Sequence, residues 1–153
     1  MSIKISHNTF TYDKIKVFFK HTDYHGFVHI YNYLEWMSYA REAFFSDLFQ
    51  SSSVDIADMF SIVTINVEYN FIADAKFGDD IKIVIFTENV RKVSFDVCFE
   101  FYLSGDGKKI GLGRQTLVFL DKNSFKPTLI PEKLFAEVKD GERKDIVQKN
   151  GYS

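Results

Sequence analysis

The feature that most restricts how this chain can fold is a polar loop followed at once by a long apolar helix. Residues 23–49, DYHGFVHIYNYLEWMSYAREAFFSDLF, contain neither glycine nor proline after Gly26. Apolar residues recur there at steps of three and four, the spacing of one helical face: Ile30, Tyr33, Leu34, Met37, Ala40, Phe44, Phe45 and Leu48. A helix over residues 31–49 would be about 28 Å long, so we expect it to cross the core as the only long helix.

Most of the remaining chain alternates apolar and polar residues, as half-buried strands do. We predict strands at residues 11–20, 60–74, 81–85, 93–103 and 110–121. Serines at 51–53 should end the long helix before a short turn at 55–59, and Pro131 suits the start of a short second helix. These elements predict an α+β fold, in which an antiparallel sheet wraps around one long central helix.

Length and composition indicate one domain that needs no disulfide. The chain has 153 residues, a net charge of -2 and one cysteine, Cys98, which we interpret as an ordinary strand residue. We assign residues 1–139 to a single domain and expect the charged tail, residues 140–153, to be poorly ordered. The charge gives no reason to expect nucleic acid as a partner.

Neither a membrane span nor a secretion signal is evident, so we expect a cytoplasmic protein. Aromatic residues make up 17% of the chain. Because such residues fill wide interfaces between elements and between subunits, this surplus favours an oligomer.

The densest polar cluster, HTDYHG at residues 21–26, lies immediately before the helix. A carboxylate at Asp23 would lie near the positive end of that helix, whose free N–H groups favour developing negative charge. A carboxylate and N–H donors can together catalyse acyl transfer. The commoner role of Asp23 and Gly26 would be to shape the loop and cap the helix, and these residues alone leave both interpretations open.

Three histidines in this region have the spacing of metal ligands on a helix: His21, His25 and His29. Gly26 and the loop composition argue against a continuous helix, so we expect no metal site.

Basic residues allow two interpretations each. Arg41 interrupts the apolar helix face, and it either pairs with an acid such as Asp23 or Glu42 or points into a ligand pocket. The pairs at 91–92 and 108–109 are typical of solvated turns, or would bind a phosphorylated carrier.

The segment TDYHGFVHIYNYLEWMSYAREAFF resembles the hot-dog-fold thioesterases of the 4-hydroxybenzoyl-CoA thioesterase family. Their signature is a T-D-x-x-G-x-V loop, an N-Y/F-h-x-W/Y helix start and an A-R-x-x-F/L continuation. The matching positions are Thr22, Asp23, Gly26, Val28, Asn32, Tyr33, Trp36, Ala40, Arg41 and Phe44. The resemblance extends over about residues 11–139 and is specific in the loop and helix.

This resemblance implies a hot-dog fold and a thioesterase that hydrolyses an acyl-CoA or acyl-carrier-protein thioester without metal or redox cofactor. Asp23 matches the catalytic carboxylate, acting as nucleophile or general base, and the N–H of Ile30 matches the donor that polarises the thioester carbonyl. Tyr33 and Arg41 are further catalytic candidates. The family forms homodimers or homotetramers with active sites at the subunit interface.

Two segments, NYLEWMSYAREAFF and GRQTLVF, also resemble an enediyne branch that releases polyketide chains from acyl carrier proteins. In that branch an Asn replaces the loop carboxylate, and a helix Arg and Tyr are implicated, which match Arg41 and Tyr33. The presence of Asp23 favours the carboxylate-using group instead. We expect Gly26, His29 and Thr64 to contact substrate; some naphthoyl-CoA thioesterases carry a His at the position of His29.

Two alternatives stay open at the level of sequence. One is a hot-dog dehydratase or hydratase acting on 3-hydroxyacyl thioesters through His25 or His29. The other is a non-catalytic acyl-thioester binding protein.

Overall fold

A computed structural model of the chain describes residues 9–52, 60–140 and 142. The strands are β1 (Phe10–Lys16), β2 (Phe60–Phe71), β3 (Asp80–Glu88), β4 (Ser94–Leu103) and β5 (Lys109–Asp121). The α-helices are α1 (Ile30–Ser52) and α2 (Glu132–Asp140), and a turn of 3-10 helix, Phe19–His21, precedes α1. The predicted α+β composition is confirmed.

The strands form one antiparallel sheet in the order β1-β3-β4-β5-β2. Strand β4 is central, and β1 and β2 are the edges. The long edge strand β2 pairs with β5 from Phe60 opposite Asp121 to Phe71 opposite Gly111, with an irregularity in register between Thr64 and Asn66. Such a bulge bends an edge strand and increases its local twist.

Helix α1 packs its apolar stripe on one face of this sheet. Phe44 contacts Phe10 of β1 with ring centroids 6.0 Å apart, and Phe45 contacts Phe95 of β4 at 6.4 Å. The fully buried residues of the stripe include Met37 and Ala40. The predicted long helix is therefore confirmed, and within the described residues α2 is the only other α-helix.

Two predicted strands end earlier than expected. Strand β1 stops at Lys16 rather than at residue 20, because the chain turns into the 3-10 helix. Phe19, within the predicted strand range, is in that 3-10 helix and is 78% exposed. Strand β2 ends at Phe71 rather than at residue 74, and the chain there bends so that Ala73 donates its N–H to Ile110.

Helix α2 begins directly after Pro131, as predicted, and buries Leu134 and Val138. Beyond it, the carboxylate of Glu142 accepts a hydrogen bond from the N–H of Val90 at 2.9 Å. The rest of the predicted tail after α2, and the predicted turn at residues 55–59, lie outside the described residues. No helix in the described part of the chain has the length and apolar character that crossing a bilayer requires.

Candidate active site

The predicted polar loop forms a tight β-hairpin, residues 21–29, which we call the loop hairpin. Within it, the N–H of Asp23 donates to the carbonyl oxygen of Phe27 at 2.7 Å, and the N–H of Gly26 donates to the carbonyl oxygen of Asp23 at 3.0 Å. The loop between Asp23 and Phe27 thus has three residues, a length that commonly places a left-handed residue last. Gly26 occupies that position with φ of 84°, which a residue without Cβ adopts at no steric cost.

The carboxylate of Asp23 is fixed by this loop and remains exposed. Its Oδ1 accepts hydrogen bonds from the N–H of His25 at 2.8 Å and from the N–H of Phe27 at 3.1 Å. Aspartates that shape turns make bonds of this kind, so the loop geometry accounts for an Asp here without any catalytic role. The other oxygen, Oδ2, accepts no hydrogen bond from the described residues and is available for chemistry.

The loop hairpin runs directly into the N-terminus of α1. Thr22 and Val28 form a bridge, and the N–H of His29 donates to the carbonyl oxygen of His21 at 3.0 Å. Asp23 follows His21 by two residues, so the segment that carries Asp23 begins at the residue that this bond joins to His29, immediately before α1. The N–H of Ile30, the first residue of α1, finds no acceptor among the described residues.

The histidines of the loop hairpin do not converge on one point. His21 accepts the N–H of Phe18 on Nδ1 at 2.8 Å, whereas the ring of His29 stacks on Tyr31 at 4.4 Å. His25 is exposed and contacts Tyr24. Across the described residues, no three His, Cys, Asp or Glu side chains are grouped as metal ligands would be.

Arg41 lies on the sheet side of α1 and joins a second polar group. Its Nη1 donates to Thr64 Oγ1 at 3.0 Å and to Gln115 Oε1 at 2.9 Å. Nη2 forms an ion pair of 3.2 Å with Glu42, whose side chain is 67% exposed, and Nε is buried with no hydrogen-bond partner among the described residues. Of the two acids considered for Arg41, the structure therefore shows Glu42 and not Asp23.

Tyr33 is a residue of the N-terminal part of α1, and its side chain is fully buried. Its ring stacks on Tyr69 at 4.7 Å, and its hydroxyl accepts the N–H of Ala75 at 3.2 Å. Burial raises the pKa of Tyr33 to about 12. Its hydroxyl therefore stays protonated at neutral pH and serves as a hydrogen-bonding group rather than as a base.

The structure thus separates the predicted site residues into three places. Asp23, Gly26, His29 and Ile30 share the loop hairpin and the helix start. Arg41 and Thr64 are in direct contact farther along α1, and Tyr33 lies in the core between α1 and the sheet.

Two polar features escaped the sequence interpretation. Gln115, which is only 2% exposed, holds Arg41. The sequence did contain a signal for Gln115: in GRQTLVF it is a polar residue at a core-facing position of a strand.

The second is an ionic cluster on the sheet face opposite α1. Arg114 bonds Glu88 at 2.7 Å and Asp96 at 2.8 Å. Burial acts to raise the pKa of Asp96, but hydrogen bonds from Asn89, Thr116 and Arg114 outweigh it and hold that pKa below its ordinary value. On the same face Cys98 is a buried strand residue, as interpreted, and burial raises the pKa of its thiol.

The basic pairs at 91–92 and 108–109 also contribute to this face. Arg91 donates to Ser94 Oγ at 2.8 Å and contacts Asp96, and Lys109 bonds Glu100 at 3.0 Å. Arg91 and Lys109 are therefore engaged by their own sheet rather than being purely solvated.

A sheet curled on one long helix, with a carboxylate loop at the helix N-terminus, is the architecture of a hot-dog thioesterase domain. The model of the thioesterase-like superfamily matches residues 17–138. The chain belongs to that superfamily. None of the curated proteins compared with it matches.

Solved structures of similar fold include two named as thioesterases and one solved with CoA. A 1,4-dihydroxy-2-naphthoyl-CoA thioesterase from Synechocystis has a TM-score of 0.73 and 18% identity, over 87% of this chain and 97% of that one. The dynemicin thioesterase has a TM-score of 0.77 and 20% identity, over 88% and 98%. A hypothetical protein from Staphylococcus aureus, solved in complex with CoA, has a TM-score of 0.71 and 13% identity, over 90% and 84%. These similarities confirm the predicted hot-dog fold.

Proposed function

We propose that the protein hydrolyses an acyl-CoA or acyl-carrier-protein thioester to the free acid and thiol. In this mechanism Asp23 acts on the thioester carbonyl carbon, either directly as nucleophile or by activating water. The N–H of Ile30 receives the carbonyl oxygen as it becomes negative. The tetrahedral intermediate then collapses, the C–S bond breaks, and the thiolate is protonated. If water attacks, this step gives the free acid directly. If Asp23 attacks, it gives a mixed anhydride on Asp23, which a water molecule then hydrolyses to the free acid.

One observation carries this proposal: a carboxylate with only one oxygen bonded by the described residues, on a hairpin that leads into a helix whose first N–H, that of Ile30, has no acceptor among them. The bonds from His25 and Phe27 orient the carboxylate of Asp23 before any ligand binds. The N–H of Ile30 has no acceptor to displace within the described residues. A donor that is already oriented need not reorganise as charge develops, and this is the main advantage of an oxyanion hole.

Asp23 is exposed in the single chain. This exposure is explained if a second copy of the chain covers the site. The edge strand β2 leaves large apolar side chains in solvent, with Ile65 63% exposed, Val67 47% and Phe71 53%. A long apolar edge strand normally pairs with another chain or is protected. We therefore propose a homodimer formed through β2, with the loop hairpin at its interface and a tetramer as a further step of assembly.

Arg41 and Thr64 are proposed to contact the acyl part of the substrate farther along α1 from the loop hairpin, with Tyr33 supporting that region from the core. The positive charge of Arg41 is balanced mainly by the exposed Glu42, while its other partners, Thr64 and Gln115, are neutral. A substrate carbonyl or anionic group would find an incompletely neutralised guanidinium there. Gly26 and His29 would contact the thioester portion from the loop hairpin.

Thiol release from acyl-CoAs with aromatic, short, long and β-keto acyl groups tests this function directly. We expect hydrolysis of at least one class by the unaltered protein, and a fall in turnover of roughly 10²–10⁴-fold for Asp23→Asn. Asparagine can still accept the hydrogen bonds of the loop, so the fold should be retained. Asp47→Asn, an exposed change on α1, is the matched control and should leave turnover unchanged.

Other results would point elsewhere. Loss of water from 3-hydroxyacyl thioesters without thiol release would indicate a dehydratase. Tight binding without any thiol release over hours would indicate a binding protein. Full turnover by Asp23→Asn would remove the carboxylate from the mechanism.

A further inference from the structure

We infer that Asn32 is a positioning residue for this reaction, one that sets the catalytic carboxylate of Asp23 relative to the oxyanion donor of Ile30. The inference rests on the proposed function. It concerns a residue of the first turn of α1, which would act through the loop hairpin rather than by touching substrate.

The geometry points to Asn32 because its side chain crosses from the helix to the loop hairpin. Its Nδ2 donates to the carbonyl oxygen of His21 at 2.8 Å. The same oxygen accepts the N–H of His29 at 3.0 Å. In the part of the chain that the structure describes, this is the only hydrogen bond by which a side chain of α1 reaches the loop hairpin.

His21 is therefore held by three contacts, two of which come from α1. Its carbonyl oxygen receives Asn32 and His29, and its ring packs edge-on against Trp36 with centroids 5.2 Å apart. Trp36 is 4% exposed and belongs to the core. His21 is thus the residue through which the strand carrying Asp23 is anchored to α1.

The chemistry of this contact requires a donor. A main-chain carbonyl oxygen accepts hydrogen bonds, so the amide of Asn32 supports it, whereas a carboxylate in the same place would repel it. Loss of the bond would let the hairpin strand shift against α1. Misplacement by about 1 Å at a reacting group can lower turnover by as much as about 100-fold.

The test uses two variants that separate hydrogen bonding from folding. Asn32→Ala removes the donor, and Asn32→Asp keeps the shape but replaces the donor with an acceptor. An acidic residue in the first turn of a helix interacts favourably with the helix dipole, which offsets part of the lost hydrogen bond, so Asn32→Asp should remain folded at the assay temperature. We expect both variants to lower kcat by roughly 10–100-fold with KM changed less than about threefold. Asn123→Ala, an exposed loop substitution, should leave both kcat and KM unchanged.

A double-mutant cycle with Asp23→Asn then decides whether Asn32 acts through Asp23. If it does, Asn32→Ala should lower the residual turnover of Asp23→Asn by less than about twofold, because the group it positions is already gone. Additive losses, or an Asn32→Ala protein with kcat within about twofold of the unaltered enzyme, would overturn the positioning role while leaving the proposed function intact. Full activity of Asp23→Asn alone would instead refute the proposed role of Asp23, and this inference with it.

Discussion

The hydroxyl oxygen of Tyr69 lies in the space that a side chain at Gly111 would occupy. A Cβ added at Gly111 would overlap both the hydroxyl oxygen and the Cζ atom of Tyr69. Tyr69 is packed in turn by the rings of Tyr33 and Phe101, at 4.7 and 5.2 Å. The glycine is therefore required by packing beneath α1 and not by backbone conformation.

The first prediction contrasts this glycine with its neighbour on β5. Gly111→Ala should destabilise the protein by about 3 kcal/mol, because the ring of Tyr69 is held by other rings and has no room to move. A Cβ at Gly113 would lie 2.7 Å from Met37 Cε, the end of a flexible thioether, so Gly113→Ala should cost about 1 kcal/mol. Urea unfolding of the two variants measures the difference. Equal losses would contradict this account of the packing.

The second prediction concerns backbone strain at Gly26. Its φ of 84° is left-handed, and an added Cβ would meet no atom within 4 Å, so any cost of substitution comes from the backbone alone. Gly26→Asn should therefore be mild, Gly26→Ala should cost about 1 kcal/mol, and Gly26→Val should cost more. Thiol release and thermal melting should decline in that order. Equal behaviour of Asn and Val would show that the loop does not retain this conformation.

How much the sequence could predict is seen by comparing the loop hairpin with Arg41. The hairpin is local: Asp23, Gly26 and the start of α1 are close together in the chain, so turn chemistry and helix periodicity are enough to predict a loop that leads directly into a helix. The partners of Arg41 are not local. Gln115 is on β5, on the sheet face that packs against α1. Only the register of β5 against its neighbours brings it to Arg41.

Strand β4 shows that the sequence also predicts burial only in part. Its alternation correctly indicated that Phe95, Val97 and Phe99 share the face toward the core. It could not indicate that the polar face is also enclosed, with Asp96 5% and Glu100 4% exposed. That enclosure comes from side chains on adjacent strands. The alternation of residues within one strand does not predict which strands lie beside it.

The third prediction concerns this enclosed polar face. Removing Asp96 leaves the partly buried charge of Arg114 to be balanced by Glu88 alone, so Asp96→Ala should destabilise the protein by about 2 kcal/mol. The control is Asp47→Ala, an exposed change on α1 that should shift stability by less than about 0.5 kcal/mol. Chemical denaturation measures both. A loss for Asp96→Ala no larger than for the control would mean that the ion pairs contribute nothing net.

The fourth prediction follows from His21 at the base of the loop hairpin. Burial, assisted by the charge of Lys20 and opposed by that of Glu35, lowers the pKa of His21 below its ordinary value of 6.5. Protonation would also destroy the acceptor that Nδ1 offers to the N–H of Phe18. Between the lowered pKa and 6.5, the unfolded chain binds more protons than the folded one, so stability falls as pH falls through this window.

Unfolding by urea at about pH 7.5 and about pH 5.5, on either side of the ordinary histidine pKa, measures this effect. His21→Gln should lose part of the pH dependence, because glutamine does not titrate. His25→Gln removes an exposed histidine of the same loop. The stability of this variant should keep the pH dependence that comes from His21. If both variants retained the full dependence, His21 would not be its source. Because His21 anchors the strand that carries Asp23, acid that protonates it should also lower turnover before the domain unfolds, and parallel thiol-release assays would detect that order of events.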